Sequence, residues 1–398
     1  MELSSPTLLI EINNSEYIFV AVSKNEQDNI NIVYKSVVPI AGIQKFRITD
    51  FHLAVETIKK NIFLIEKKLN FIFKESTIII NNFNCSIVNL TGFKKMNGSQ
   101  ILKENITYIL NTLKSNIDKT EEKNTILHIF NSKYFLDQKE IDNLPIGLFG
   151  DFYSHELSFC LINNNDYKNL NKIFEKTNLK IRKILLKSYV EGSWLSNTNT
   201  DLDTFFVTKI NKKNSQVFYF ENDSLRQEQV FNFGSDLIIN DISKITALKQ
   251  ESVRKIVSQL IFNQANSDNN LIEKEFFNNE SYKKIKKKLI YDIASARIQE
   301  LSEILISKNI NFSSFYEKNK VNFLTISDDL NFKSFEEIFK FYFSYNRDLD
   351  LRCIKDVKTD DIVKNAYNIV HFGWKKEAVP VIHAKKSFIS RFFEEIFI

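Results

Sequence analysis

Apolar and polar positions along the chain alternate between two periods. Runs rich in β-branched and aromatic residues at 8–12, 17–22 and 31–38 are separated by Asn13-Asn14-Ser15 and by the polar stretch 25–29, which predicts a three-strand meander. From residue 51 to 69 the apolar positions Leu53, Val55, Ile58, Ile62, Ile65 and Leu69 recur mainly at three- and four-residue steps, the mark of an amphipathic helix, and 76–81 reverts to a strand. The same succession returns as strands at 204–210, 216–221 and 227–233 and a helix at 236–245. The chain is therefore expected to build one α/β unit twice.

Between the halves, 84–151 carries strands at 86–90, 125–130 and 133–137 and a helix at 99–116, and reads as an inserted small α/β subdomain. A strand at 157–161, a helix at 165–177 and a strand at 181–186 follow, then a helix at 290–301 and a strand at 321–326. Two like halves facing each other, with an insert in the first, are the architecture of the actin-like ATPase superfold, in which a nucleotide occupies the cleft between lobes. The expected domains are a first lobe at 1–83 and 152–199, the insert at 84–151, a second lobe at 200–375 with a small subdomain at about 236–300, and a linker at 376–384.

The last segment, 385–398, has its own pattern. Phe388, Ile389, Phe392, Phe393, Ile396 and Phe397 form a two-residue-wide stripe at helical period, with Lys385, Lys386, Arg391, Glu394 and Glu395 on the other side. Such a helix is about 21 Å long, too short to cross a ~30 Å hydrocarbon core but long enough to lie in the interface. Three basic residues balance two acidic ones and the terminal carboxylate, so apolar insertion rather than attraction to anionic lipid has to carry the binding. The other reading is a closing helix docked on the globular body.

Composition adds exclusions. With 398 residues a single small core is ruled out, and 43% hydrophobic against 26% charged residues suits buried cores without a bilayer. The eight Gly and four Pro beside 36 Phe reflect codon bias more than function. A net charge of +5 over this length is a weak field, and lysines alternate with acids, so nucleic acid is not expected as a partner. Cys85, Cys160 and Cys353 form no metal or disulfide spacing. His128, His155, His371 and His383 share no ligand spacing and neighbour no nucleophile, and no catalytic constellation emerges. The start, with Glu2 and no basic segment ahead of an apolar run, gives no expectation of a signal peptide, and no stretch of eighteen apolar residues suggests a membrane span.

Four stretches resemble one family. Asn143-Leu144-Pro145-Ile146-Gly147-Leu148-Phe149-Gly150 is similar to the Asn-Pro-Val-Gly-Leu-x-Gly turn that closes the inserted subdomain of FtsA, an actin-like bacterial division protein. The strand, helix, strand order of 157–186 follows it. Arg297-x-x-Glu300-Leu301 is similar to the family's Glu-Pro-Arg-x-x-Glu-Leu, and Ala366-x-x-Ile369-Val370-His371-Phe372-Gly373 to its terminal Ala-x-Gly-Leu-Leu-His-Tyr-Gly.

The departures fall on the nucleotide contacts. Where the family has Asp-Ile-Gly-Thr-x-Lys, this chain has Glu11-Ile12-Asn13-Asn14-Ser15-Glu16, with an acid in place of the phosphate-facing lysine. Where the family has Asp-Ile-Gly-Gly-Gly-Thr, it has Lys209-Ile210-Asn211-Lys212-Lys213-Asn214, with lysine in place of the carboxylate that holds the metal's water shell. The adenosine-side Gly-Gly is Ser327-Asp328. Glycines let backbone N–H groups approach phosphate oxygens, and those glycines are gone. The resemblance implies ATP and magnesium; the residues present argue for no cofactor and no hydrolysis. Lys209, Lys212 and Lys213 either hold phosphate by point charge without metal or form a solvated hairpin tip, the second being the expectation.

The resemblance further implies a peripheral protein on the cytoplasmic side of the inner membrane at the division septum. Its expected partners are the FtsZ C-terminal tail, membrane lipid through the last helix, other copies of itself and later division proteins. Arg297 and Glu300 are the candidate tail-binding residues, since an arginine fork suits carboxylates; the other reading of Arg297 is an intrahelical pair with Glu300 or Asp292. The run Lys283, Lys284, Lys286, Lys287 and Lys288 either widens that basic surface or is a solvated helix face. Two alternatives are an actin-like adaptor of a pilus-assembly machine and a superfold kinase; the latter needs a catalytic carboxylate, and Lys209 stands against it.

Overall fold

A computed structural model describes residues 5–378 apart from 26–28, 45–46, 82, 84, 261, 263–269, 278–279, 317–320, 327–331 and 346–348. The predicted 385–398 helix and Ser327-Asp328 lie outside the described residues. The described residues divide into two compact units, one from 5–83 with 168–373 and one from 85–167 with 374–378.

The first unit begins with β1 (Thr7–Ile12), β2 (Glu16–Lys24) and β3 (Ile30–Pro39), a small hairpin of β4 (Ile43–Gln44) and β5 (Arg47–Ile48), then α1 (Phe51–Leu69) and β6 (Glu75–Ile80). Helix α1 starts where its pattern and caps place it. The Asp50 carboxylate accepts from the Leu53 N–H at 3.0 Å, and Asn70 closes the helix in the left-handed conformation. It buries Ala54, Ile58, Ile62 and Ile65, whereas Leu53, counted in the expected stripe, is exposed.

The second unit follows: β7 (Ser86–Lys95), α2 (Lys103–Thr120), β8 (Asn124–Leu136), β9 (Lys139–Ile141) and β10 (Phe152–Asn163). Its antiparallel sheet has the order β7-β10-β8-β9, with α2 against it. The two strands expected at 125–130 and 133–137 are one, β8. Asn131-Ser132, which reads as a turn, is a bulge opposite Glu156 and Leu157. Phe152–Asn163, expected in the first lobe, is an inner strand of this sheet, because its two edges pair with β7 and β8. The 143–150 turn closes this unit through Gly147 N–H to the Ile101 carbonyl and Ile101 N–H to the Leu148 carbonyl, each at 2.8 Å.

Residues 374–378, assigned from sequence to the end of the second lobe and the linker, also belong to this unit. They pair with the open half of β8: the Asn131 N–H donates to the Lys376 carbonyl and the Ala378 N–H to the Ile129 carbonyl, both at 2.8 Å, and His128 Nδ1 meets Glu377 Oε1 at 2.9 Å. Strand β9 is too short to cover that edge, and the tail segment covers it instead.

The chain returns through α3 (Asn164–Lys176), β11 (Lys180–Leu186) and α4 (Lys187–Thr198) to β12 (Phe205–Ile210), β13 (Ser215–Glu221) and β14 (Ser224–Phe231). Then come α5 (Asp236–Thr246), α6 (Gln250–Gln259), α7 (Lys287–Ser302), α8 (Ser313–Tyr316), β15 (Val321–Ile326), α9 (Phe332–Tyr345), β16 (Asp350–Cys353) and α10 (Thr359–Phe372). The two sheets of this unit have the same topology. In β11-β6-β1-β2-β3 the strand β1 is antiparallel to β2 and parallel to β6; in β14-β13-β12-β15-β16 the strand β12 is antiparallel to β13 and parallel to β15. The repeat makes the β1–β2 and β12–β13 turns equivalent, and sets Glu11 and Lys209 at matching positions two residues before each turn.

Candidate functional site: a cleft filled with ion pairs

Both equivalent turns open onto one cleft of about 1280 Å³ in the first unit, walled by Asn13, Asn14 and Ser15 on one side and Asn211, Lys212, Lys213 and Asn214 on the other. In the first turn the Asn13 N–H donates to the Glu16 carbonyl, and the Asn13 side-chain oxygen accepts from the backbone N–H groups of Ser15 and Glu16 at 3.0 and 2.9 Å. An asparagine amide oxygen thus takes donors of the kind a phosphate oxygen needs. Glu16 leans back on Asn13 and is half-buried.

The second turn repeats the hydrogen bond, Asn211 N–H to the Asn214 carbonyl at 2.9 Å, with the Asn211 and Asn214 side chains joined at 3.1 Å. The Ser235 and Asp236 N–H groups at the start of α5 donate to the Asn211 and Lys212 carbonyls, both at 2.9 Å. That approach requires Gly234, where a Cβ would lie 2.0 Å from the Asn211 carbonyl oxygen. The helix terminus, an anion site in other settings, directs these two N–H groups onto the chain's own turn.

Beneath the turns the charges close on one another. Lys209 Nζ lies 2.6 Å from Glu191 Oε1 and 2.9 Å from Asp356 Oδ1; Lys187 Nζ lies 2.7 Å from Glu11 Oε1. Glu11, Glu191 and Lys209 are buried. Lys187 and Glu191 stand four residues apart on α4, one turn, so a single helix face supplies the opposite charge to each of the equivalent strand positions. Burial works against the Lys209 ammonium, but Glu191 and Asp356 outweigh it and hold its pKa above the ordinary lysine value. Lys187 is raised in the same way, burial being outweighed by Glu11 and Glu191. Asp356 is held below the usual carboxylate value: Lys209 outweighs its desolvation. Beside the pairs, Glu228 of β14 accepts from Ser188 Oγ at 2.7 Å and Gln216 Nε2 at 2.6 Å, and burial pushes its pKa up despite those bonds.

Lys209 is therefore not at a solvated tip. It is an internal ion-pair partner, Lys212 is half-buried and Lys213 is exposed at the cleft mouth. Magnesium and a triphosphate do not fit this arrangement, because an ammonium stands among the carboxylates and the turn N–H groups named above already have acceptors. Among the described residues no cluster of three or more His, Cys, Asp or Glu could hold a metal ion. Sequence reasoning missed Lys187 and Glu191, since α4 is buried along most of its length and has no stripe to announce it, and missed Asp356, which lies between β16 and α10 with no pattern to tie it to Lys209.

Arg297 is brought to a different place. Its Nε donates to Asp241 Oδ2 of α5 at 2.5 Å and its Nη1 to Glu300, so it ties α7 to α5; Asp241 first, with Glu300, raises its pKa. The pair with Glu300 is present, and the second partner is Asp241 rather than Asp292. The lysine run is not a helix face, because Lys283, Lys284 and Lys286 precede α7; Lys283 Nζ donates to the Ala247 carbonyl.

With this geometry in view, comparisons with known proteins place the chain. No family model matches it. It is 24% identical over 220 residues to the cell division protein FtsA of Buchnera aphidicola subsp. Baizongia pistaciae, covering 55% of this chain, and 20% identical over 292 residues to FtsA of Bacillus subtilis, covering 72%. Those matches span 52% and 66% of the relatives' own lengths. Among solved structures, the PilM–PilN type IV pilus biogenesis complex matches with a TM-score of 0.54 at 10% identity, covering 92% of this chain and 98% of that one. The chain is an FtsA-like protein with the actin-like fold. The turns that face its cleft carry Asn13, Asn14, Asn211, Lys212 and Lys213.

Proposed function

We propose that this protein is a non-catalytic, actin-like adaptor of bacterial cell division, holding FtsZ to the cytoplasmic side of the inner membrane at the septum and acting by tethering rather than turnover. The observation that carries the non-catalytic reading is Lys209, buried between Glu191 and Asp356 where an ATPase of this architecture needs a free carboxylate. Similarity to FtsA supports the division role. The Phe-rich stripe Phe388, Ile389, Phe392, Phe393, Ile396 and Phe397 supports membrane anchoring, with self-association giving many weak anchors a common avidity. Among the described residues no helix is long and apolar enough to cross a membrane.

Liposome flotation tests this reading. Full-length protein should carry FtsZ to the lipid fraction, a truncation after His383 should not, and ATP should change neither result. Failure of the full chain to float would remove the tether. A second reading, an adaptor of a pilus-type machine, is favoured by the pilus-complex structural match. It predicts binding to the cytoplasmic tail of a membrane protein and none to FtsZ in the same tubes.

A further inference from the structure

We infer that the buried ion pairs are a clasp that replaces the nucleotide and its metal as the link between the two halves of the first unit, with the Lys209 ammonium as a built-in cation. Glu11 lies on β1 and Lys187 and Glu191 on α4, all in the first half; Lys209 lies on β12 and Asp356 follows β16, in the second. The Lys209–Glu191 contact of 2.6 Å thus crosses between the halves, at a point where both side chains are buried. Asp356 joins from the second half at 2.9 Å, so the ammonium has carboxylates from both sides, as a bound cation would. The chemistry is complementary at each position: Glu11 and Lys209 occupy equivalent places in the repeat and have opposite charge, and α4 answers them with Lys187 and Glu191 in the opposite order. A buried charge is kept only with a partner. Separating the halves would leave Lys209 and Glu191 without each other, so the closed arrangement is held by the sequence itself and needs no ligand.

The inference rests on the non-catalytic reading of the cleft and on no partner or membrane role. Hydrogen exchange of the full chain, followed by mass spectrometry, tests it with Lys209→Gln, Glu191→Gln and the double variant. Each single change should speed exchange at least tenfold in both β12 and α4, and the double variant, in which no buried charge lacks its partner, should recover most of that protection. Changes confined to the element that bears the substitution, or single effects that simply add in the double variant, overturn the clasp. If a single variant does not fold, Lys209→Met with Glu191→Met, read against the native chain, replaces it. A clasp predicts that this pair, which leaves neither buried charge without its partner, folds with β12 and α4 both protected close to the native level, and fast exchange in both elements overturns it. A separate arm adds millimolar ATP and magnesium to the native chain. No added protection of the β1–β2 and β12–β13 turns is expected, and protection there overturns the non-catalytic reading while the cycle reports on the clasp alone.

Discussion

Lys209 of β12 and Glu191 of α4 meet at 2.6 Å, with both side chains almost wholly buried. Removing one member of such a pair strands the other charge, at a cost of about 3–5 kcal/mol. Lys209→Ala should lower stability by that order in denaturant titration. Asp356→Asn should cost much less, since the Asp356 side chain is 58% exposed and water screens its share. Equal losses for the two would show that burial at Lys209 is not what gives the pair its strength.

Glu228 gives a pH dependence of opposite sense to an ordinary surface acid. Its folded pKa is raised above the unfolded one, so the stability it contributes is fully present below the ordinary carboxylate value of 4.5 and is lost as pH rises through the folded value. Glu228→Gln keeps the shape and removes the charge. The variant should melt higher than the native chain at neutral pH, and the gap should shrink toward pH 4; a gap that widens on acidification contradicts the assignment.

Gly234 permits the start of α5 to reach the β12–β13 turn. A Cβ there would sit 2.0 Å from the Asn211 carbonyl oxygen and 2.9 Å from that of Lys212. Gly234→Ala should cost about 1–3 kcal/mol, typical of forced overpacking, and should accelerate exchange at the Ser235 and Asp236 amides. A neutral substitution would mean the helix end is not held by the turn.

Arg297 is engaged by Asp241 and Glu300. Arg297→Ala should loosen α5 from α7 and lower the melting temperature by a few degrees, for roughly 1 kcal/mol or somewhat more in a partly buried pair, and Asp241→Asn should reproduce it. An Arg297→Ala protein that melts normally yet fails to bind an FtsZ-tail peptide returns Arg297 to the role of a direct contact.

The tail segment on β8 should be separable from the insert. Glu377→Ala removes the carboxylate facing His128, and trypsin should then cut faster at Lys375 and Lys376. Unchanged cleavage would show that the backbone hydrogen bonds to Asn131 and Ile129 hold the segment without the side chain.

The repeated strand and helix periods by themselves determined the doubled α/β architecture, the insert and most element positions, because those patterns are local: alternation requires one buried sheet face, and α1 carries its own start at Asp50 and stop at Asn70. The loss of the turn glycines was equally visible. What replaced them was not. Helix α4 buries Tyr189 and Val190 together with Glu191 and Ser193, and has almost no exposed side, so no amphipathic stripe marks it. The polar stretch at Asn131-Ser132 looks like a turn, yet neighbours on β10 absorb it as a bulge. Lys187, Glu191, Lys209 and Asp356 are scattered over 170 positions of sequence, and a charge on a strand reads the same whether it faces water or a partner. Only the tertiary structure decides that, because desolvation makes the pairing of a buried charge obligatory and the partner comes from whichever element the fold brings within reach.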